Sequence, residues 1–409
     1  MTSNNRKKIL AISYLFPNSE KPNHGIFVYN RLNAMAKYVD ITVINPIPWS
    51  PLHSFIGKFK HLRNIPAKTQ RGNLTIYHPR YLSIPGYAKR IEIPTYRSAV
   101  RKVINEIGFD FDFIDLHWTF PDLPVGDYLS KKYSVPYRVT LRGMEAFHQQ
   151  DGDIREQTVA KYLARVDSVV SLSEEMADAA HCIANTRHKT KVVRNGVDTI
   201  SFFYKDMMGC RNKLAIPIGH KIILGVGALI YRKGFDVVIG ALKEILDTPA
   251  LRDTHFYILG SEGAEGDYRK ELELQVSDLK LEKHVHFVGA VPNKQLIDWY
   301  NAADVFCLSS RGEGSPNVLT EALACGCPAV ATRVGSVPEI MASEADLGYV
   351  VELNDVEATK QALCEILSQH HEREKQADSF KKYTWDWCAR NAMFSIYPQS
   401  FNSKDVSVR

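Results

Sequence analysis

Between Ser309 and Gly326 the chain reads Ser-Ser-Arg-Gly-Glu-Gly-Ser-Pro-Asn-Val-Leu-Thr-Glu-Ala-Leu-Ala-Cys-Gly. Ser315 is a good N-cap, Pro316 suits a first helical position, and Gly326 suits the residue that closes a short helix. The spacing therefore predicts a helix whose first amides, at Asn317, Val318 and Leu319, are free. Such a helix start, with Gly314 and Ser315 leading into it, attracts phosphate through its N–H groups and its dipole. Two carboxylates flank it: Glu313 in the loop before the helix and Glu321 about one and a half turns in. Carboxylates repel phosphate, so they should accept from hydroxyls instead. One on each side of a diphosphate suits a sugar on one side and a ribose on the other. The spacing alone is a weak signal, and its bland alternative is one loop charge and one helix-surface charge.

Something must hold that loop. Short runs rich in Val, Ile and Phe recur along the chain, separated by helix-length segments. The first half holds 8–15, 39–45, 74–78, 111–118, 137–141, 168–172 and 191–194. The second holds 221–227, 255–259, 284–288, 304–308, 328–332 and 348–352. Several are apolar throughout, as strands are when helices cover both sheet faces. Strands alternating with helices predict parallel sheets of βαβ units. Thirteen strands are too many for one ordinary open sheet. The break falls at Asn195-Gly196-Val197-Asp198, a turn-favouring stretch with no strong periodicity after it until Lys221. The expectation is α/β: two doubly wound domains facing across a cleft, 1–198 and 199–382, with ligands beyond the carboxyl ends of the strands. Residues 383–397 carry Trp385, Trp387, Phe394 and Tyr397, too apolar a load for a free tail. A helix there should pack back towards the first domain, followed by a frayed end.

Composition narrows the class. The chain has 409 residues, 45% hydrophobic and 24% charged, which excludes disordered and low-complexity chains. The net charge of +5 is too weak to suggest a nucleic-acid partner. No apolar run is long enough to span a bilayer, and the first run, preceded by Arg6, Lys7 and Lys8, reads as a buried strand and not a signal peptide. The seven cysteines lack CxxC spacing and read as small buried hydrophobes in a reducing compartment. One stretch is uneven: residues 52–106 hold eleven basic groups against Glu92 and Glu106. They also hold Phe55, Ile56, Phe59, Tyr81, Tyr87 and Tyr96. A basic, aromatic, loop-rich segment fits an anionic membrane surface or acceptor, and equally fits a solvated loop.

The stretch from Ser309 to Gly326 resembles the signature of the retaining glycosyltransferases of family 4, which have the two-domain GT-B fold. The resemblance extends over nearly the whole chain, and its nearest branch includes teichuronic acid and other cell-surface polysaccharide transferases. Gly25, in His24-Gly25-Ile26-Phe27-Val28, matches the glycine after the first strand. His117-Trp118 matches a strand end, and Arg142-Gly143-Met144-Glu145 falls where the family often has His-Gly-x-Asp. Ser173 and Asn195–Asp198 match domain-closing elements. In the second domain Gly225-Val226-Gly227 and Lys233-Gly234 match the phosphate-binding strand and loop, and Val288-Gly289-Ala290 the loop beside the nucleobase. The resemblance implies that Glu313 contacts the donor sugar and Glu321 the nucleotide ribose, with anomeric retention. It implies donor contacts from Gly25, Gly227, Val288 and Ala290 as well.

Two departures stand out. Where the family commonly has an arginine after the glycine of the first C-domain strand, this chain has Ala228. Lys233 remains, and Arg232 or Arg142 is expected to supply the second cation. Arg142 itself replaces the family histidine near the transferred sugar, and a fixed cation cannot act as a base. His117 and His24 are expected at cleft-facing strand ends. Gly225-Val226-Gly227 lacks the third glycine of a dinucleotide fingerprint, so nicotinamide binding is a poor alternative. Asp151-Gly152-Asp153 resembles a DxD metal motif but lies in a polar segment, and no cofactor or required metal is expected. The donor should be a UDP- or GDP-linked sugar, the acceptor a glycan, lipid-linked and met at the inner face of the cytoplasmic membrane through residues 52–106. A sugar-nucleotide-binding protein without turnover and a GT-B-fold sugar-nucleotide epimerase are the competing readings.

Overall fold

A computed structural model of the chain describes residues 6–50, 61–83, 89–143, 154–263 and 265–395. It divides into two compact units, one made of the residues up to Asn195 together with those from Trp385 on, the other spanning Gly196–Thr384. The sequence reading places the boundaries three residues later at the first crossing and two earlier at the second.

The first unit runs β1 (Lys8–Ile12), α1 (Ile26–Met35), β2 (Asp40–Ile44), β3 (Ile47–Trp49), β4 (Lys68–Arg71), β5 (Leu74–Tyr77), β6 (Arg80–Leu82), α2 (Lys89–Ile107), β7 (Phe113–Leu116), α3 (Asp122–Tyr133), β8 (Tyr137–Thr140), α4 (Ile154–Leu163), β9 (Ser168–Ser171), α5 (Glu174–Ala184) and β10 (Thr190–Val192). Its main sheet has the order β10-β9-β8-β7-β1-β2-β5-β4. All pairs are parallel except β4 with β5, where Lys68 lies opposite Tyr77 at the sheet edge. The order reverses between β1 and β7, which pair with Ile9 opposite Phe113. Ile9 to Ile12 are buried along their whole length, because helices cover both faces of this central strand.

The second unit runs α6 (Met207–Lys213), β11 (Lys221–Val226), α7 (Phe235–Ile245), β12 (Thr254–Leu259), α8 (Arg269–Asp278), β13 (Val285–Gly289), α9 (Asn293–Ala302), β14 (Val305–Leu308), α10 (Asn317–Ala324), β15 (Ala329–Thr332), α11 (Val337–Met341), β16 (Gly348–Val351), α12 (Val356–Ser368) and α13 (Arg373–Phe380). Its sheet is parallel throughout, with order β13-β12-β11-β14-β15-β16, reversing between β11 and β14. Phe235, Val238 and Leu242 of α7 pack with Ile223, Phe256 and Leu363 in the core. The chain then returns to the first unit as α14 (Trp385–Phe394). Ala389 and Met393 of that helix join the core of Ile9, Leu32 and Phe113, which accounts for the apolar load of the C-terminal segment.

Every strand expected from the apolar runs is present, usually one to three residues shorter. Three strands go unpredicted: β3, β4 and β6. The basic stretch that holds two of them is therefore not loop-rich as read from the sequence. It contains β4, β5, β6 and the 19-residue α2. Its tyrosines are also spent differently. Tyr81 and Tyr96 are buried and meet edge to face at 5.0 Å, so they are core residues and not surface anchors. Arg71 lies over the Tyr29 ring at 4.4 Å and Arg97 over Tyr128 at 5.0 Å. Lys58, Lys60, Phe55, Ile56, Phe59 and Tyr87 lie outside the described residues. All seven cysteines are free and five are buried, Cys182 being exposed and Cys364 partly so. Among the described residues no helix is long and apolar enough to cross a membrane.

Candidate active site

In the second unit the reversal point between β11 and β14 brings two loops together, the place where open parallel sheets bind ligands. The loop after β11 carries Gly227, Ala228, Arg232 and Lys233; the loop after β14 carries Ser309 to Pro316. Backbone contacts fasten them: Arg311 N donates to Arg232 O at 2.7 Å, and Ser309 Oγ donates to Lys233 O at 3.0 Å. Gly234 makes this possible. Its φ is +64°, and a Cβ there would lie 2.0 Å from Ser309 O. Arg311 clamps the same corner, pairing with Asp236 through both terminal nitrogens and lying 4.0 Å over the Tyr231 ring.

The charged groups then converge on Glu313. Lys233 Nζ donates to Glu313 Oε1 at 2.6 Å, and Ser310 Oγ donates to the same oxygen at 2.7 Å. The lysine stem runs over Gly227, whose missing Cβ would stand 3.0 Å from Lys233 Cε. Arg232 Nη1 is 3.7 Å from Glu313 Oε2 and donates to Gly312 O at 2.8 Å. Its other nitrogens fork onto Glu265 and hold that carboxyl below its ordinary range. Thus two cations stand beside Glu313 despite Ala228. The turn after β15 supports the loop from behind: Ser336 N donates to Gly314 O at 3.0 Å, and a Cβ on Gly335 would lie 2.4 Å from Glu313 O.

The helix α10 starts one residue later than its sequence suggests. Pro316, not Ser315, is the N-cap, because its ψ of 104° is extended and not helical. Leu319 N donates to Pro316 O at 3.2 Å, so this one of the three amides expected to be free is used within the turn. Glu321 sits on α10, partly exposed. Tyr300 of α9, itself buried, donates its hydroxyl to Glu321 Oε2 at 3.0 Å. Burial holds the Glu321 carboxyl up at about 7, with Asp198 adding to the effect. Val288 and Ala290 are exposed at the carboxyl end of β13, with β12 between that strand and β11.

In the first unit the reversal point between β1 and β7 gathers the remaining candidates. Gly25 caps α1 at φ +68°, with a Cβ position 2.7 Å from the carbonyl carbon of Leu15, so the glycine is required by the chain's own close approach. His24 beside it is exposed. His117 has no exposed surface. Its Nδ1 is 3.0 Å from Arg142 Nη2, and its Nε2 is 3.3 Å from Asp115 Oδ2. A guanidinium only donates, so Nδ1 accepts and the proton sits on Nε2, facing Asp115. Burial holds this imidazole down at about 4. Arg138 Nε and Nη2 bond the two oxygens of Asp115 at 2.8 and 2.6 Å, and the guanidinium keeps that carboxyl far below its usual range. Arg142 is buried, its Cζ 5.1 Å from the Phe27 ring centre, and its Nε and Nη1 have no hydrogen-bond partner among the described residues. Burial and the nearby Arg31 both work against its charge. Ser173 proves to be the N-cap of α5, accepting from Met176 N at 3.1 Å. Met144, Glu145, His148 and Asp151-Gly152-Asp153 lie outside the described residues.

Sequence spacing does not reveal Tyr300, Ser310, Asp236 or Gly335. Tyr300, Asp236 and Gly335 come from other elements, which only the sheet order brings there, while Ser310 lies three residues before Glu313 and the fold of the loop turns its hydroxyl onto that carboxylate.

Comparison with known proteins agrees with this geometry. Residues 25–200 match the profile of Glycosyltransferase Family 4, and residues 210–384 that of Glycosyl transferases group 1. TuaC of Bacillus subtilis (strain 168), named as a teichuronic acid biosynthesis glycosyltransferase, is 27% identical over 350 residues, covering 83% of this chain and 84% of that protein. Among solved structures, a sucrose-phosphate synthase from Thermosynechococcus elongatus matches 97% of this chain and 99% of its own, with a TM-score of 0.77 at 20% identity. HepE of Anabaena, solved with UDP-glucose, matches 96% of this chain and 99% of its own, with a TM-score of 0.68 at 18% identity. With two parallel-sheet halves, each carrying its candidate residues at the point where strand order reverses, and profile matches over both halves, the chain belongs to the family 4 glycosyltransferases of GT-B fold.

Proposed function

We propose that this glycosyltransferase moves a hexose-type sugar from a UDP- or GDP-linked donor to a hydroxyl of a lipid-linked glycan acceptor in cell-surface polysaccharide biosynthesis, with retention and without a metal. The observation that carries the reading is the arrangement around α10. Lys233 and Arg232 stand beside Glu313, the N-terminus of α10 follows, and Glu321 lies about one turn further. The donor's diphosphate is seated by cations and helix amides, and its two sugars by the carboxylates on either side.

Breaking the glycosyl–phosphate bond leaves positive charge at the anomeric carbon and negative charge on the departing diphosphate. Lys233, Arg232 and the N-terminus of α10 stabilise the leaving group. Lys233 exchanges its contact with Glu313 for the diphosphate, which frees Glu313 for the donor sugar's hydroxyls. The acceptor oxygen forms the new bond on the face the diphosphate leaves, and its proton passes to a leaving-group phosphate oxygen. His117, neutral and enclosed, acts as a positioning residue for Arg142. Arg142 meets an anionic group of substrate with the two nitrogens that have no partner among the described residues. Exposed Arg63, Lys68, Arg101 and Lys102 offer a basic surface to an anionic membrane. The kinship with TuaC and the fold shared with HepE support the substrate classes.

A thermal-shift titration with UDP, GDP and ADP, repeated on Glu321→Ala, tests the donor site. One diphosphate should raise the melting temperature, and Glu321→Ala should abolish the rise. If none shifts the wild type, the donor reading fails. Product stereochemistry by NMR tests retention, and turnover in excess EDTA tests independence from metal.

A further inference from the structure

The sheet of the second unit has two ends, and the candidate site occupies only one. At the other, where β11, β12 and β13 begin, four histidines gather. His255 is at the centre and is buried. The His220 ring stacks on it with centroids 3.7 Å apart, and the His284 and His286 rings lie at 5.0 and 5.2 Å. Asp253, exposed, brings Oδ1 to 3.8 Å from His255 Nε2. One donor atom each from His220, Asp253 and His255 lies within 4.8 Å of the others.

Two details single this cluster out from packed surface imidazoles. His255 Nδ1 is 2.9 Å from His286 Nε2. A proton on Nδ1 shared with His286 leaves the Nε2 lone pair directed towards Asp253, the tautomer a metal-binding histidine takes when its other nitrogen is held by a neighbour. Second, His255 Nε2 and His220 Nδ1 are buried and have no hydrogen-bond partner among the described residues. Two ligand atoms on one tetrahedral zinc ion are separated by about 3.3 Å. The His255–Asp253 separation exceeds that by about half an ångström, a change an exposed aspartate makes by rotating. His220, only partly buried, must swing out of its stack to direct Nδ1 at the same point.

We propose that His220, Asp253 and His255 bind a divalent transition-metal ion, zinc by donor type, with the solvent side of Asp253 left for water. Two imidazoles and one carboxylate suit zinc, and hard-oxygen cations would not select them. The ion ties the chain before β11 to the start of β12. It lies at the opposite edge of the sheet from Glu313 and Glu321, so it is not part of sugar transfer, and the inference stands whether or not the donor reading does.

The test uses the full chain stripped with chelator and titrated with zinc chloride, followed by calorimetry and thermal melting. One equivalent should bind and raise the melting temperature. Asp253→Asn and His220→Gln, both outside the strands, should each weaken binding about tenfold or more and shrink the rise, while nucleotide binding stays at the wild-type level. Failure of the wild type to take up zinc overturns the proposal. So does zinc binding that both variants leave unchanged, since the ion then sits on other residues.

Discussion

Lys233 and Glu313 make a half-buried ion pair 2.6 Å long, at the point where the proposed function has negative charge develop. Removing the lysine takes away a preorganised charge and leaves Glu313 to repel the diphosphate. Lys233→Ala should lower kcat by about 10²–10³-fold, the usual loss for one such donor. Lys233→Arg should restore little, because a planar guanidinium is not the compact point charge that the ammonium sets beside Glu313. Steady-state kinetics with the identified donor checks both. Glu321 makes a different prediction. Its carboxyl, held up at about 7, keeps in the folded state a proton that the unfolded chain releases near 4.5. Its contribution to stability is therefore complete below about 4.5 and is lost as pH rises through 7. The difference in urea stability between wild type and Glu321→Gln should change across pH 5 to 8 by on the order of 2 kcal/mol, with the wild type losing ground towards alkaline pH. A flat difference would mean the carboxyl is not enclosed. In the sequence Glu313 and Glu321 were legible as a pair because both belong to one short stretch. Tyr300, which sits against Glu321, was not, since an isolated tyrosine in a helix reads as core.

At the scale of elements, two contacts decide whether the site exists. The first is the corner at Gly234, where the loop after β11 touches the loop after β14. Gly234→Ala sets a Cβ against the Ser309 carbonyl at a positive φ. It should destabilise the protein by about 1–3 kcal/mol and lower kcat/KM by displacing Lys233, which chemical denaturation and kinetics would each report. The second is α14. Arg138 Nη1 donates to Ala392 O and, at 3.0 Å, to Ser395 Oγ, while its other nitrogens hold Asp115. Cutting the chain after Thr384 removes these acceptors and uncovers the apolar floor formed by Ile9, Leu32 and Phe113. Such a truncation should lose cooperative melting or aggregate, and recovery of a normal melt would contradict the packing seen here. Most elements were legible because each strand is a continuous apolar run between helix-length segments. The exceptions have physical causes. β4, Lys-Thr-Gln-Arg, is an edge strand and needs no apolar face. β3 and β6, three residues each, pair only with one another.

For the whole molecule, the division into units with separate cores carries its own prediction. Residues 196–384 form one uninterrupted segment with a complete sheet, whereas the first unit needs chain from both ends. A fragment of residues 196–384 should fold alone, with a cooperative melt, and keep the nucleotide affinity of the full chain. A fragment of residues 1–195 should not fold without residues 385–395. Failure of the 196–384 fragment to bind nucleotide would show that the donor site draws on the first unit. The sequence by itself determined the α/β class, the thirteen principal strands and the place where the chain changes unit. It also determined the Glu313–Glu321 stretch with its helix, because apolar period, turn residues and caps act over a few neighbouring positions. Tertiary structure decided which distant groups share a site. Lys233 meets Glu313 across eighty residues, Tyr300 meets Glu321 from another helix, and Arg138 reaches the C-terminal helix across more than two hundred and fifty. Those meetings follow from the order of strands in each sheet, which is set by long-range packing and leaves no mark in local spacing.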